Sequence, residues 1–213
     1  MPDDDSKGIK IMKLFNPSGK SMFRIMLRSE VLQWLLNKTP LWFVKKRNRF
    51  LKRIVADIKG APYLVYSPIY FQQGNNTYIG KNFFCNYDCK FLDHDEIHIG
   101  DNVMLAPGVL LTTVSHPLFS DQRIIKPFKN SFEPYGRGNI EINKPINIGD
   151  NVWIAAYSVI CGGVTIGKNS VIGAGSIVTR DIPPNVLAMG TPCKVVREIT
   201  EEDRILDDYF NGI

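Results

Sequence analysis

Cysteine and histidine are both scarce in this chain, four of one and three of the other among 213 residues. Cys85 and Cys89 are spaced C-x-x-x-C, and neither they nor Cys161 and Cys193 form the paired motifs of a zinc site. Sitting at or beside repeat positions, the four read as small buried hydrophobes. The opening residues, MPDDDSKG, are acidic and lack the apolar core of a signal peptide. The cytoplasm is therefore the expected compartment. Also lacking, in the second half, is the period of an amphipathic helix or of a plain alternating strand.

What stands there instead is a period of six. From Ile148 to Pro183 the blocks run IGDNVW, IAAYSV, ICGGVT, IGKNSV, IGAGSI and VTRDIP. Ile148, Ile154, Ile160, Ile166, Ile172 and Val178 open them; Val152, Ser158, Val164, Ser170, Ser176 and Ile182 take the fifth place. This is the signature of a hexapeptide β-solenoid, whose aliphatic residues fill a narrow core. Gly and Asn supply the backbone angles of its corners. The same register recurs upstream at Ile79, Cys85, Phe91, Ile99, Leu105 and Leu111, with two extra residues between Phe91 and Ile99. Between His116 and Ile148 the period is lost, and a long excursion over about 117–147 is expected to leave the body; inserts of this kind are commonly functional.

Three blocks make one triangular coil, so residues 61–183 without the excursion predict roughly five coils and a prism of about 24 Å at the strand spacing. The 44% apolar fraction suffices for such a core. The organisation expected is a basic helical collar over 1–60, the β-helix over 61–198 and a short C-terminal helix over 199–213.

The charge is uneven. Eleven Lys or Arg stand against Glu30 and Asp57 between residues 20 and 59, within a chain of net charge +5. Apolar residues are interleaved, among them Trp34, Trp42 and Phe43, and Pro40 divides two helices predicted near Ser21–Asn37 and Leu41–Ile58. As a collar, this segment caps the open end of the prism and shields its strand edges, with its apolar residues committed to the core. As a basic amphipathic surface, it meets a charged glycan or, weakly, an anionic membrane through residues 20–59. The two roles are compatible.

The stretches SPIYFQQGNNTYIG, FFCNYDCKFLD, IHIGDNVMLAPGVLLTTVSHP, KPINIGDNVWI, VTIGKNSVIGAGSIVTRDIPPNV and GTPCKVVREI carry a resemblance. Over roughly Pro68–Glu198 the chain resembles the hexapeptide acyltransferases that acetylate sugars, the group of galactoside and maltose O-acetyltransferases. The resemblance implies a mainly β fold, a left-handed parallel β-helix; the pattern alone does not fix the hand. It also implies acetyl-CoA as cosubstrate, a carbohydrate acceptor and a homotrimer with sites between subunits. Flat prism faces of small polar residues and the long excursion fit sites completed by a neighbour.

His116, in the context TxxSHP, matches the family's catalytic position. Acetyl transfer to a hydroxyl needs a base near neutral pKa, which imidazole provides. A lone histidine is otherwise a structural or exposed residue. The resemblance implies direct attack without an acyl-enzyme, and places a backbone N–H for the oxyanion near Ala156. Asn86 and Asp93 match acceptor-side positions at corners facing the same end as His116, and His94 can share this role; Asn and Asp also suit corner turns. Gln72 stands where relatives often have Asp or Ser.

On the donor side Trp153 walls the pantetheine arm or merely covers its face, and Ala174 leaves room for a backbone contact. Thr179, Arg180, Lys194 and Arg197 suit the phosphates of coenzyme A. Relatives usually carry Lys at 180 and Arg at 194.

Two other readings stand beside this one. Solenoidal carbonic anhydrases bind zinc through three imidazoles, but His94, His98 and His116 have a different spacing, and His98 points outward. No metal is therefore expected. A catalytically silent scaffold predicts no acetyl-CoA binding.

Overall fold

The computed structural model describes residues 19–60, 63–123 and 141–205. Helix α1 spans Gly19–Lys38 and α2 spans Val44–Ile54, with Pro40 in the break between them. From there the chain winds about six turns of parallel β-solenoid, the first five each giving one short strand to each of three sheets.

The first sheet stacks Asp57–Ile58, Thr77–Ile79, Ile97–Ile99, Ile146–Ile148 and Thr165–Ile166, and Ile182 bridges onto Ile166. The second holds Leu64–Val65, Phe84–Cys85, Met104–Leu105, Trp153–Ile154, Val171–Ile172 and Val186–Gly190, closed by the antiparallel Cys193–Glu198. In the third lie Ile69–Phe71, Cys89–Leu92, Leu110–Thr112, Val159–Cys161 and Ile177–Val178. Asp57–Ile58 thus already belongs to the solenoid, ahead of the boundary expected at 60. The first and last turns lack the hexapeptide signature but continue the ladders, which is why six turns form where five were counted.

The period of six places like on like. Ile79, Ile99, Ile148 and Ile166 are in register, as are Cys85, Leu105, Ile154 and Ile172. All are at most 5% exposed, and burying each such aliphatic side chain contributes about 1.5–3 kcal/mol. The fifth-place residues are buried with them, Ser158, Ser170 and Ser176 included. Ser158 remains satisfied by donating to the carbonyl of Ala155. Cys85 and Cys89 lie fully inside, Cys161 and Cys193 partly so, and all four are free thiols.

The corner after each first-sheet strand explains the I-G-x-N motif. A β-carbon on Gly100 would lie 2.8 Å from the Asp150 nitrogen of the next turn, so close stacking requires glycine there. Asn82, Asn102, Asn151, Asn169 and Asn185 all adopt left-handed backbone angles (φ 52 to 61°). The first four each donate a side-chain N–H to the next Oδ1, at 2.8–2.9 Å, in a continuous asparagine ladder that ends at Asn185.

The helices cap the first turns through Leu32, Leu36, Leu51 and Ile54, which join the core. Arg47 is the pin. Its guanidinium is buried and donates to the carbonyls of Leu36, Thr39 and Val65 and to Ser67 Oγ. Burial lowers its pKa, which those four acceptors offset. Trp34, Trp42 and Phe43 are 60%, 78% and 52% exposed. The expectation that they are committed to the core is therefore corrected: a two-helix cap buries one stripe of α1 and α2, and these side chains lie off it.

The excursion leaves through a two-residue hairpin stem, Val114–Ser115 against Ile142–Asn143, and includes one helical turn at Ser120–Arg123. Ile146–Ile148 already rejoins the first sheet. Of the helix expected over 199–213, the described residues hold one 3₁₀ turn, Glu201–Asp203, capped by Thr200; the rest of that expectation lies outside them. No helix among the described residues is long and apolar enough to cross a membrane.

Candidate active site

Each turn has three corners, and the strand that a residue follows decides which corner it occupies. Gln72, Asp93, His94, Thr179 and Arg180 all follow third-sheet strands, on the edge between the third and first sheets, and His116 leaves the same edge after the hairpin strand Val114–Ser115. Asn86, Ala156 and Ala174 follow second-sheet strands, on the edge between the second and third. Trp153 projects from the outer face of the second sheet, 47% exposed, and Lys194 and Arg197 lie on its closing strand. Asp93 thus shares the edge of His116 and Asn86 does not, whereas the sequence reading set both at corners facing the same end as His116. One prism separates the expected site residues by a whole face.

On the first edge, His116 is exposed just beyond the hairpin stem, followed by the buried Pro117. The register Val114↔Asn143 and Ser115↔Ile142, continued one step, sets Glu141 opposite His116. Glu141 in turn meets the turn below, its Oε2 lying 2.6 Å from His94 Nδ1. Gln72 is exposed one turn further down. Asp93 has no exposed surface: Oδ1 accepts the Gln73 N–H at 2.8 Å and Oδ2 the Thr77 hydroxyl at 3.0 Å. Burial raises its pKa against the pull of those donors.

His98 stacks on Tyr78 at 4.8 Å and lies 2.9 Å from Glu96, on the outer face of the first sheet. Among the described residues no group of three or more His, Cys, Asp or Glu is disposed to hold a metal.

On the second edge the backbone matters more than the side chains. Ala155 N–H donates to Ile172 and Tyr157 N–H to Pro107, both at 2.9 Å, whereas no backbone acceptor among the described residues takes the Ala156 N–H. Tyr157 holds φ 58°, rare for a bulky side chain, and is 72% exposed. Asn86 Oδ1 accepts the N–H of the next residue, Tyr87, at 2.9 Å. Ala174 is exposed.

The three cations expected to meet phosphate are not equivalent. Arg197 is gripped in bidentate fashion by Asp203, at 2.6 and 2.7 Å, and that guanidinium lowers the Asp203 pKa to about 2. Lys194 and Arg180 are exposed, but Lys194 lies on the closing strand of the second sheet and Arg180 on the edge between the third and first sheets.

The second sheet's outer face is apolar, not small and polar as expected. Leu64, Phe84, Met104, Trp153, Val171 and Leu187 form one outward ladder. The first sheet presents Tyr78, His98, Asn147 and Thr165 instead.

Glu141 and Tyr157 escaped the sequence reading. For Glu141 a signal existed in the alternation N-I-E-I-N before Lys144, a short strand in a segment read only as loop.

Comparison with known proteins agrees with this architecture. Residues 145–180 match the family "Bacterial transferase hexapeptide (six repeats)". Galactoside O-acetyltransferase of Escherichia coli K12 is 42% identical over 196 residues, 92% of this chain and 90% of that protein. A galactoside acetyltransferase solved in complex with coenzyme A superposes with a TM-score of 0.77 at 41% identity, covering 89% of this chain and 88% of that one. A maltose O-acetyltransferase from Clostridium difficile 630 gives 0.74 at 40% identity, covering 85% and 90%. On this fold, these repeats and this identity across nine-tenths of its length, the chain belongs to the hexapeptide-repeat O-acetyltransferase family, with the galactoside and maltose O-acetyltransferases.

Proposed function

We propose that this enzyme transfers the acetyl group of acetyl-CoA directly to a hydroxyl of a sugar or a surface-polysaccharide precursor. His116 acts as general base, and the observation that carries this reading is its exposure at the mouth of the excursion, on the edge it shares with His94 and Glu141. The acceptor oxygen attacks the thioester carbon while His116 takes its proton; the imidazolium then returns the proton to the departing thiolate. The Ala156 N–H faces the carbonyl oxygen as it gains charge. Trp153 and Ala174 flank the pantetheine arm, and Lys194, Arg180 and Thr179 meet the phosphates, with Arg197 contributing if Asp203 yields it. On the acceptor side stand His94, Asn86 and Gln72.

The separation of His116 from Ala156 by a prism face supports a homotrimer in which each site joins the first edge of one subunit to the second edge of another. The apolar ladder of the second sheet supplies a surface for such packing. A cytoplasmic location suits four free thiols. Weak contact with anionic membrane through the basic segment 20–59 completes the proposal.

Release of coenzyme A thiol from acetyl-CoA, measured across neutral sugars, amino sugars and uronic acids, tests the reading. Acceptor-dependent release is expected with at least one neutral sugar. Release with none of them refutes it.

A further inference from the structure

We propose that Glu141, and not Asp93, supplies the carboxylate on the acceptor side of the site. The inference rests on the acetyltransferase reading and adds a specificity residue to it.

Asp93 is committed elsewhere. Both of its carboxylate oxygens accept from the preceding turn, Gln73 N–H on one and Thr77 Oγ1 on the other, and its carbonyl accepts from Asn76 Nδ2 at 2.8 Å. With no exposed surface, it closes the widened corner between Phe91 and Ile99 from within. A sugar hydroxyl reaching it would have to displace buried hydrogen bonds.

The neighbouring positions invert this arrangement. His94 and Glu141 come from segments 47 residues apart and meet at 2.6 Å, with side-chain exposures of 13% and 26%. Asn143 Nδ2 approaches the same Oε2 at 3.5 Å. Asn143 and Glu141 are two residues apart on one strand of the stem and so share a face. By register that face also carries Val114 and, one step further, His116. Directly opposed residues of an antiparallel pair have β-carbons about 4.5–5.5 Å apart.

A carboxylate offers about four acceptor positions, and the partners of Glu141 among the described residues both sit on Oε2. Oε1 remains to accept from acceptor hydroxyls next to the one that His116 deprotonates. His94 fixes the carboxylate, so little side-chain entropy is lost when an acceptor binds. The fixed negative charge favours neutral or amino sugars and disfavours acceptors that carry a carboxylate of their own.

Steady-state kinetics in both substrates, with thermal melting of each full-length variant, test this. Glu141→Gln is expected to raise the acceptor KM about tenfold or more, the scale of one hydrogen bond to a charged group. It is expected to leave the acetyl-CoA KM and the melting temperature unchanged, and to narrow the preference for neutral over uronic acid acceptors. Asp93→Ala is expected to lower the melting temperature by about 4 °C or more, since two donors lose their acceptor, with the acceptor KM unchanged. Should that variant not fold, Asp93→Asn, which keeps an acceptor for Gln73, takes its place. An active enzyme whose acceptor KM ignores Glu141→Gln, or responds to Asp93 at unchanged melting, overturns the proposal. A wild-type chain that transfers no acetyl group overturns the underlying reading instead.

Discussion

A residue in the asparagine ladder does two jobs that one substitution can separate. Asn151 holds φ 59°, and its side chain links Asn102 to Asn169. Alanine at this position pays about 1–2 kcal/mol for the left-handed backbone and forfeits two exposed hydrogen bonds worth roughly 0.5–1.5 kcal/mol each. Asn151→Ala is thus expected to cost about 2–5 kcal/mol in denaturant unfolding, and Asn151→Gly roughly half of that, because glycine relieves the backbone alone. Equal losses for the two would show that the ladder carries all of the effect. This ladder was half legible: the motif showed that Asn serves the corner angle, but not that successive corners bond to one another. That bond depends on the register between turns, which a single strand does not reveal. Glu141 was hidden for a similar reason, since its partner His94 lies 47 residues away.

At the scale of elements, the core was the most readable part, because a repeat of six writes its buried positions directly into the sequence. Ile148, Ile154, Ile160, Ile166, Ile172 and Val178 all face inward, at 4% exposure or less. The first turn, from Asp57 to Phe71, was not readable, because its side chains pack against α1 and α2 instead of repeating. The collar depends on one residue that composition disguised: Arg47 reads as a member of a charge run, yet it is buried and joins the end of α1 to the first turn. Arg47→Met leaves the carbonyls of Leu36, Thr39 and Val65 without their donor. It is expected to destabilise the protein by roughly 3 kcal/mol or more in denaturant unfolding. Arg47→Lys, a point charge without the planar fork, should fall between the two. A lysine variant as stable as the wild type would mean that charge alone holds the cap.

For the whole molecule, the decisive feature is that the residues proposed for acetyl transfer lie on two edges of one prism. His116 stands on the first edge, and Ala156 and Ala174 on the second. The motifs suggested a family position for each; the distribution over edges was not legible, since it follows from which sheet each strand joins. The proposed assembly of neighbouring prisms would bring the edges together, so each active site should draw on two chains. The measurement that tests this most directly is complementation between two defective variants. His116→Ala is expected to lose about 10²–10⁴-fold in turnover, the contribution of a positioned general base. Ala174→Trp, at an exposed position on the donor edge, is expected to block coenzyme A without unfolding the chain. Co-assembled in equal amounts, the two should recover about a quarter of wild-type activity, because in random rings that fraction of sites pairs an intact first edge with an intact second edge. A mixture no more active than its two parents would contradict a site shared between chains.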